Sequence, residues 1–322
     1  MRSGAGHAGI KTELGFACLN RIMRIFWDDL DRDDWTARLD LGRSAALQQS
    51  WDYGQAARAL GAGVRRARVA DGLGEIAVAQ VLDRSGLRLI NRGPVWLRAV
   101  DPAQKRRVLR ALARGPTLAT PEDVVAGFGL VPLLTGRFHA IWALDPSPEA
   151  LRAGLERRWA GRLAAAGRAG VQAATGHGKV LDLLIREEAA QRRRIGYRGL
   201  PPDFSRHLPP RALRLWHWTK DGSTAAAMAF VRHGDAATYQ TGWAGPAARR
   251  CGVHQAMLWQ AALALRDEGV RRIDLGTVDT EAAPGLAHFK LGTGADLRRL
   301  GATAWVLPAV RWRGRERQSP ED

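Results

Sequence analysis

The sequence predicts an α+β protein with two domains. Its 322 residues are about twice the length of a typical domain. Helix-like and strand-like patterns alternate in both halves, and Pro146-Ser147-Pro148 between them is a good boundary. Hydrophobic residues make up 46% and charged residues 25%, which is typical of a globular chain and excludes a fibrous or disordered one. We expect a leader over 1–22, domains over 23–147 and 148–310, and a polar tail over 311–322.

In the first half, the segment 50–60 predicts a helix, because Ser50 is a good N-cap and Gly61 a good stop. Three strand-like runs separated by turn residues follow, at 64–70, 75–82 and 87–90. A second helix begins at Asp101-Pro102 and extends to Ala113, since proline is favoured in a first helical turn. The run 138–145 predicts a buried strand.

The second half opens with a predicted long helix that carries apolar residues at i+4 spacing from Leu151 to Leu163. We interpret the arginines on its other face as solvated: Arg152, Arg157, Arg158, Arg162 and Arg168. Further helices are predicted at 181–195, over about twenty residues up to Gly269, and at 284–291. Strands are predicted at 171–174, 213–219, 225–232, 236–242, 271–275 and 303–307.

The charge of the chain is unusual. It has 49 Lys and Arg against 32 Asp and Glu, which gives a net charge of +17. Such a surface attracts polyanions, including nucleic acid, nucleotide phosphates and anionic membrane headgroups. Only five of the basic residues are lysine, and codon bias in a GC-rich genome explains that preference for arginine but not the excess over acids. The charge is therefore open to a functional and to a compositional interpretation.

Several classes of protein are excluded by pattern. Cys18 and Cys251 form neither a disulfide framework nor a metal-binding spacing, so we expect no metal and a reducing compartment. The longest stretch without a charged residue, 251–265, is too short to span a bilayer. The N-terminus lacks the apolar core of a signal peptide, and we expect a cytoplasmic protein.

Two segments are candidates for chemistry. The first, 239–254, links a strand to a helix, and a helix start exposes N–H groups that attract anions. Gly245 and Gly252 permit close approach of a ligand, while Arg249 and Arg250 add positive charge; the alternative is a plain connecting loop.

The second segment runs from Asp274-Leu-Gly276 to the FKLGTG motif at 289–294. It contains Lys290, a compact charge that suits stabilisation of an oxyanion or a phosphate. The alternative is a surface lysine with Phe289 packed beneath it. A general base is available in His254, His288 or Asp274.

These motifs resemble those of the FemAB-like acyltransferases of the GNAT superfamily. The resemblance covers about 40–308 and is carried, in order, by QQSWDYG at 48–54, NRGP at 91–94, ATYQTGW at 237–243, and the DLG and FKLGTG motifs. It implies two GNAT-like domains with mixed sheets flanked by helices and with the substrate cleft between them. It also implies transfer of an acyl or aminoacyl group, from acyl-CoA or aminoacyl-tRNA as co-substrate, to an amine, with no tightly bound cofactor.

The resemblance also implies roles for particular residues. Lys290 would be catalytic and would stabilise the oxyanion; Asp274 and His254, the candidate bases named above, complete our catalytic set. The donor would contact Phe289, Trp243, Arg249, Arg250 and Gly252. The acceptor, such as a nucleotide- or lipid-linked peptidoglycan precursor, would contact Tyr239, Arg193, Tyr197 and Trp51. Peripheral contact with an anionic membrane would fit the charge.

The sequence departs from the family at some positions. His254 stands where the pyrophosphate loop has Gly or Ala, and Arg58 stands near an expected lysine. A peptidoglycan acceptor therefore does not follow automatically. Two alternatives stay open: an acyl-CoA-dependent enzyme with another acceptor, and a non-catalytic protein that binds RNA or a membrane surface.

Overall fold

The computed structural model describes residues 23–42, 45–196 and 200–309. They form two mixed β-sheets with helices packed against them, which confirms the predicted α+β class. The helices, in chain order, are α1 Arg32–Leu41, α2 Trp51–Ala59, α3 Pro102–Leu112, α4 Pro148–Ala153, α5 Arg157–Arg168, α6 Gly178–Ile195, α7 Pro246–Arg250, α8 Val253–Asp267 and α9 Pro284–Leu291. None of these helices is both long and apolar enough to cross a bilayer.

The first sheet lies mostly in the N-terminal half, with the strand order β1-β2-β3-β4-β6-β15-β7 and with β5 paired to β3. Its strands are β1 Arg24–Trp27, β2 Gly63–Asp71, β3 Gly74–Arg84, β4 Leu87–Asn91, β5 Val95–Trp96, β6 Thr117–Thr120, β7 Leu130–Leu134 and β15 Thr303–Val306. The C-terminal strand β15 thus returns to the first sheet and pairs with β6 and β7.

The second sheet has the order β14-β8-β13-β12-β11-β10-β9. Its strands are β8 Phe138–Ala143, β9 Ala174–Thr175, β10 Leu213–Lys220, β11 Ser223–His233, β12 Ala236–Ala244, β13 Arg272–Val278 and β14 Asp296–Arg299. Strand β8 precedes the boundary expected at residue 147 and yet pairs with β13 and β14. The chain therefore crosses between the two sheets twice, before β8 and before β15.

Local sequence explains where the helices begin. The Ser50 hydroxyl accepts a hydrogen bond from the Tyr53 amide at the start of α2, and Asp101 caps α3 in the same way with Pro102 in its first turn. The long helix predicted after Pro148 is instead two helices, because the Glu156 carboxylate accepts hydrogen bonds from the amides of Arg158 and Trp159 and begins α5 as a new helix.

The predicted helix of about twenty residues before Gly269 is also two helices. Gly252 lies between α7 and α8 in the left-handed region, with a φ of 67°. A Cβ atom there would lie 2.6 Å from the Arg162 carbonyl, so the glycine lets α5 approach this turn closely. The main core packs α5 and α8 against one face of the second sheet, whereas leucines of α6 cover part of the other face.

Candidate active site

Lys290 is buried where β13 and α9 meet. The residue is only 6% exposed, and its Nζ atom donates a 2.7 Å hydrogen bond to the Thr277 carbonyl. Gly276 lies beside it with a φ of 82°, and a Cβ atom at Gly276 would be 3.5 Å from Nζ. Burial lowers the pKa of Lys290 to about 8, and the carboxylate of Asp274 partly opposes that shift. The site thus holds an ammonium group that is mostly protonated at neutral pH.

Asp274 is the anion of this site. Its carboxylate accepts hydrogen bonds from the Gly276 amide at 2.7 Å, from the Arg92 guanidinium, and from His139 Nδ1 at 3.1 Å. Burial alone would raise the pKa of Asp274, but the His139 hydrogen bond and the Arg92 charge together hold it well below its usual range. Such a carboxylate is a weak base and a strong electrostatic partner, which suits orientation of the cations around it.

Arg92 reaches this carboxylate from the first sheet. It follows β4 with a φ of 53°, precedes the cis Gly93–Pro94 bond, and forms a second ion pair with buried Glu122 at 2.5 Å. Arg92 belongs to the NRGP motif, but neither its role nor that of His139 was predicted from the sequence. The sequence feature that could have indicated Arg92 is a charged residue next to a Gly-Pro turn. For His139 the sequence shows only a polar residue in an apolar strand.

The QQSW motif supports that turn rather than the ligand directly. Gln49 donates to the Asn91 carbonyl at 2.7 Å and accepts from the Gln80 amide at 2.7 Å. A Cβ atom at Gly93 would lie 2.6 Å from Gln49 Nε2, so the glycine is needed for this packing. Gln49 therefore fixes the backbone on both sides of Arg92.

The second sheet opens beside the Lys290 site. Strands β12 and β13 pair in parallel from Ala236–Arg272 to Thr238–Asp274, yet β12 continues to Ala244 and β13 to Val278. Beyond the last pair the two strands are no longer paired with each other, which leaves a gap between them that an extended ligand can enter. This opening begins at Asp274 and leads toward the segment that holds Lys290.

A β-bulge in β12 decides which aromatic residues face this region. The register shifts so that Phe230 pairs with Tyr239 and Ala229 with Thr241. Tyr239 packs against Phe230 and Phe289, with ring centroids 5.5 and 6.5 Å apart. Trp243 instead packs with the α6 leucines, on the face of the sheet away from Tyr239. The structure therefore places the side chain of Trp243 away from Phe289, which was also predicted to contact the donor.

Phe289 and His254 are close neighbours. Their rings lie 5.8 Å apart, and Trp159 holds the Phe289 carbonyl through a 3.0 Å hydrogen bond from its indole. Burial lowers the pKa of His254, so its imidazole is neutral at pH 7. Its Nε2 atom is buried without a protein hydrogen-bond partner. A neutral imidazole with an open nitrogen is able to accept or relay a proton.

A basic groove of about 570 Å³ lies beside Phe289, which forms part of its wall. It lies between the starts of α5, α8 and α9. Its charged and polar lining residues are Glu156, Arg158, Arg162, Gln255 and His288, so positive groups outnumber the one carboxylate. From the sequence, Arg158 and Arg162 were interpreted as part of a solvated helix face. In the structure, both line this groove. Arg249 and Arg250 are exposed on α7, where Arg249 donates to the Ala244 carbonyl.

The predicted acceptor residues are more scattered. Trp51 stacks under the Arg66 guanidinium at 3.5 Å and lines a small pocket with Arg232 and His233, between the two sheets. Arg193 is exposed in the last turn of α6. Tyr197 lies outside the described residues. Within the part of the chain that the structure describes, three or more His, Cys, Asp or Glu residues nowhere form a group able to hold a metal.

Comparison with known proteins identifies the second half of the chain. Residues 151–295 match the family model described as an acetyltransferase (GNAT) domain. This segment is therefore a GNAT acyltransferase domain, and it includes Asp274, Lys290 and the β12–β13 opening. A sequence comparison with curated proteins gives no significant match.

Solved structures show the same fold over most of the chain. FemX superposes with a TM-score of 0.71 at 15% identity, over 88% of this chain and 97% of that one. A conserved protein of unknown function from Bacteroides thetaiotaomicron gives 0.59 at 11% identity, over 88% and 100%. A tandem GNAT protein from the clavulanic acid biosynthesis pathway gives 0.50 at 14% identity, over 94% and 100%. The chain has the same double GNAT-like fold.

Proposed function

We propose that this GNAT acyltransferase moves an acyl or aminoacyl group from a phosphate-bearing donor to an amine, with Lys290 at the transfer centre. The observation that carries the proposal is the burial of the Lys290 ammonium next to the gap between β12 and β13. We infer that Nζ can reach the carbonyl of a ligand that enters the gap.

The reaction requires three contributions from the protein: deprotonation of the amine, positioning of the reactants and stabilisation of the negative charge. The amine must lose a proton, approach the carbonyl carbon to about 3–3.5 Å, and form a tetrahedral species whose oxygen carries negative charge. Collapse of that species forms the amide bond, breaks the thioester or ester bond, and expels the thiolate of coenzyme A or the ribose alkoxide of tRNA, which takes up the proton that the amine lost. Lys290 supplies the positive charge for the oxygen, and low solvent exposure strengthens that interaction.

Asp274 and its partners position this cation. Asp274 attracts Lys290 electrostatically, while Arg92 and His139 hold the carboxylate in place. His254, neutral and with an unpartnered Nε2, is our candidate for accepting the amine proton. The basic groove beside Phe289 supports a donor that carries phosphates, because Arg158 and Arg162 offer two guanidinium groups to it.

Two donors fit this description. Acyl-CoA has a compact pyrophosphate that suits a groove of about 570 Å³. With this donor, the acceptor would be an amine that does not belong to the cell wall. Aminoacyl-tRNA would explain the net charge of +17 over a much larger surface. A peptidoglycan precursor remains our candidate acceptor for the tRNA donor, by analogy with the family the motifs resemble.

A donor screen tests the proposal. The purified protein is mixed with acyl-CoAs or charged tRNAs, and the shift in melting temperature identifies the donor that binds. Transfer to an amine is then followed with Lys290→Met and with Lys179→Met, an exposed lysine on α6, as matched control. We expect Lys290→Met to lower kcat by about 10²–10³-fold, as loss of an oxyanion donor does, and Lys179→Met to leave it unchanged. Transfer by Lys290→Met at the wild-type rate would show that the transfer centre lies elsewhere.

A further inference from the structure

The exposed apolar side chains of this protein are concentrated around one strand. Among the described residues, twelve large hydrophobic side chains are exposed; six of them lie in the segment 124–138, which contains β7, and a seventh, Leu307, lies beside it. We define the β7 surface by the six nearest to the strand: Val124, Phe128, Val131, Leu133, Leu134 and Leu307. Phe128 is 81% exposed, although phenylalanine is one of the residues most often buried in folded proteins. A cluster of this kind marks an interaction site.

The strand projects beyond the core. Four of its five residues are exposed, including both Leu133 and Leu134. Since successive residues of a strand point to opposite faces, apolar side chains are exposed on both faces of the sheet edge. A protein partner packed on one face would leave the other face in water. A lipid interface surrounds both faces at once.

The edge is also a poor template for another strand. β7 is the last strand of the first sheet, with β15 on one side. Pro132 lies in its middle, and proline has no N–H group to donate to an added strand. This argues against a second copy of the chain pairing edge to edge at β7.

Basic groups surround the apolar residues. The Arg110 guanidinium lies over the Phe128 ring at 5.1 Å and donates to the Leu307 carbonyl at 3.1 Å. Arg299 lines the same cavity as Leu133 and Leu134, and Arg137 is exposed just after β7. The segment 124–138 contains no acidic residue, while the preceding Asp123 is paired with Lys105 and Glu122 with Arg92. The rim therefore presents positive charge.

We propose that the β7 surface docks this protein onto a membrane that bears anionic lipids. Phe128, Leu133 and Leu134 enter the interfacial region, and Arg137 and Arg299 lie among the phosphates of the headgroups. Apolar insertion and charge attraction act together, as stable peripheral binding requires. The proposal is independent of acyl transfer, because none of these residues belongs to the transfer centre.

Sedimentation of the full chain with vesicles tests this. Vesicles of phosphatidylcholine alone are compared with vesicles that contain phosphatidylglycerol, at low and high salt. We expect binding to the phosphatidylglycerol vesicles, weaker at high salt. We expect Phe128→Ser combined with Leu134→Ser to lower the partition coefficient by about tenfold or more, since two apolar anchors are lost. Leu73→Ser combined with Leu41→Ser, at exposed leucines elsewhere, is the matched control and should not change it.

The charge contribution is tested with Arg137→Gln combined with Arg299→Gln, which should weaken binding to phosphatidylglycerol vesicles only. Because all these side chains are exposed, the variants should keep the melting temperature of the wild type. The absence of binding to phosphatidylglycerol vesicles would overturn the proposal. So would binding that Phe128→Ser with Leu134→Ser leaves unchanged, because it would come from the net charge alone. Concentration-dependent dimerisation that the same variant abolishes, without vesicle binding, would assign the surface to a second copy and overturn it as well.

Discussion

Arg92 at the end of β4 donates a hydrogen bond to Asp274 in β13, although 182 residues of chain separate them. The pair joins the first sheet to the second, next to the proposed transfer centre. Glu122 holds the other side of the same guanidinium, so one buried cation lies between two carboxylates. The stability of the contact between the sheets and the charge around Lys290 therefore depend on the same residue.

Replacing Arg92 should destabilise the protein strongly. In Arg92→Met the carboxylates of Glu122 and Asp274 stay buried and lose their main partner, which costs about 3–5 kcal/mol when one member of a buried pair is removed. The free energy of unfolding is measured in urea. Arg271→Met is the control, since its pair with Asp145 is solvent-exposed and worth less than about 1 kcal/mol. If both variants lost the same free energy of unfolding, the buried ion pair would contribute no more to stability than the exposed one.

The pH dependence of Lys290 gives opposite signs for activity and stability. If its ammonium stabilises the oxyanion, kcat should fall as pH rises through its pKa of about 8. Lys290→Arg, which stays charged, should lose this descending limb even if its rate is lower.

Stability should change in the other direction. The folded-state pKa of Lys290 is about 8 and an unfolded lysine has a pKa of about 10.4, so the unfolded chain binds more protons between these values. The free energy of unfolding of the wild type should therefore rise with pH over that range, relative to Lys290→Met. If the difference in the free energy of unfolding between the wild type and Lys290→Met did not change from pH 7 to 10, the Lys290 ammonium would not be buried as described.

The sequence predicted some parts of this site better than others. Local patterns place Asp274 on a strand and Lys290 on the following helix, and the structure confirms both elements. The fold class followed from the alternation of such elements. Arg92, His139 and Glu122 were missed because their roles arise only when the two sheets meet, and no local pattern records a contact across 182 residues. The breaks at Glu156 and Gly252 were missed because a cap and a left-handed turn interrupted an otherwise continuous apolar pattern.

Trp243 shows a second kind of limit. Strict alternation along β12 would place Tyr239 and Trp243 on one face of the sheet. The bulge near Tyr239 adds one residue to the strand, and Trp243 consequently packs against α6. A bulge depends on pairing with the neighbouring strand β11, so the sequence of β12 by itself does not reveal it.

Gly276 should be needed for catalysis and not only for backbone conformation. In Gly276→Ala the new Cβ atom would lie 3.5 Å from Lys290 Nζ, an ordinary van der Waals contact that fills space a ligand oxygen would need, and the positive φ would add strain of about 1 kcal/mol or more. Gly222→Ala is a matched control, because its φ of 74° is similar and the space beside it is open. We expect similar losses of unfolding free energy in both variants but a fall in kcat only in Gly276→Ala. Normal kcat in Gly276→Ala would place Nζ outside the reaction.

The basic groove predicts where donor affinity is determined. Removing Arg158 and Arg162 together should raise the KM for a phosphate-bearing donor by about tenfold or more, because two charge-assisted hydrogen bonds of roughly 1.5–3 kcal/mol each become unavailable. Since these side chains bind phosphate far from the carbonyl, kcat at saturating donor should change little. The control is Arg168→Ala, an exposed arginine at the C-terminal end of the same helix, which removes a like charge without lining the groove. Steady-state kinetics at two salt concentrations provide the measurement, and the KM of the wild type should rise with salt more steeply than that of the double variant. An equal rise in KM for Arg168→Ala would attribute donor binding to the general positive charge of the chain rather than to this groove.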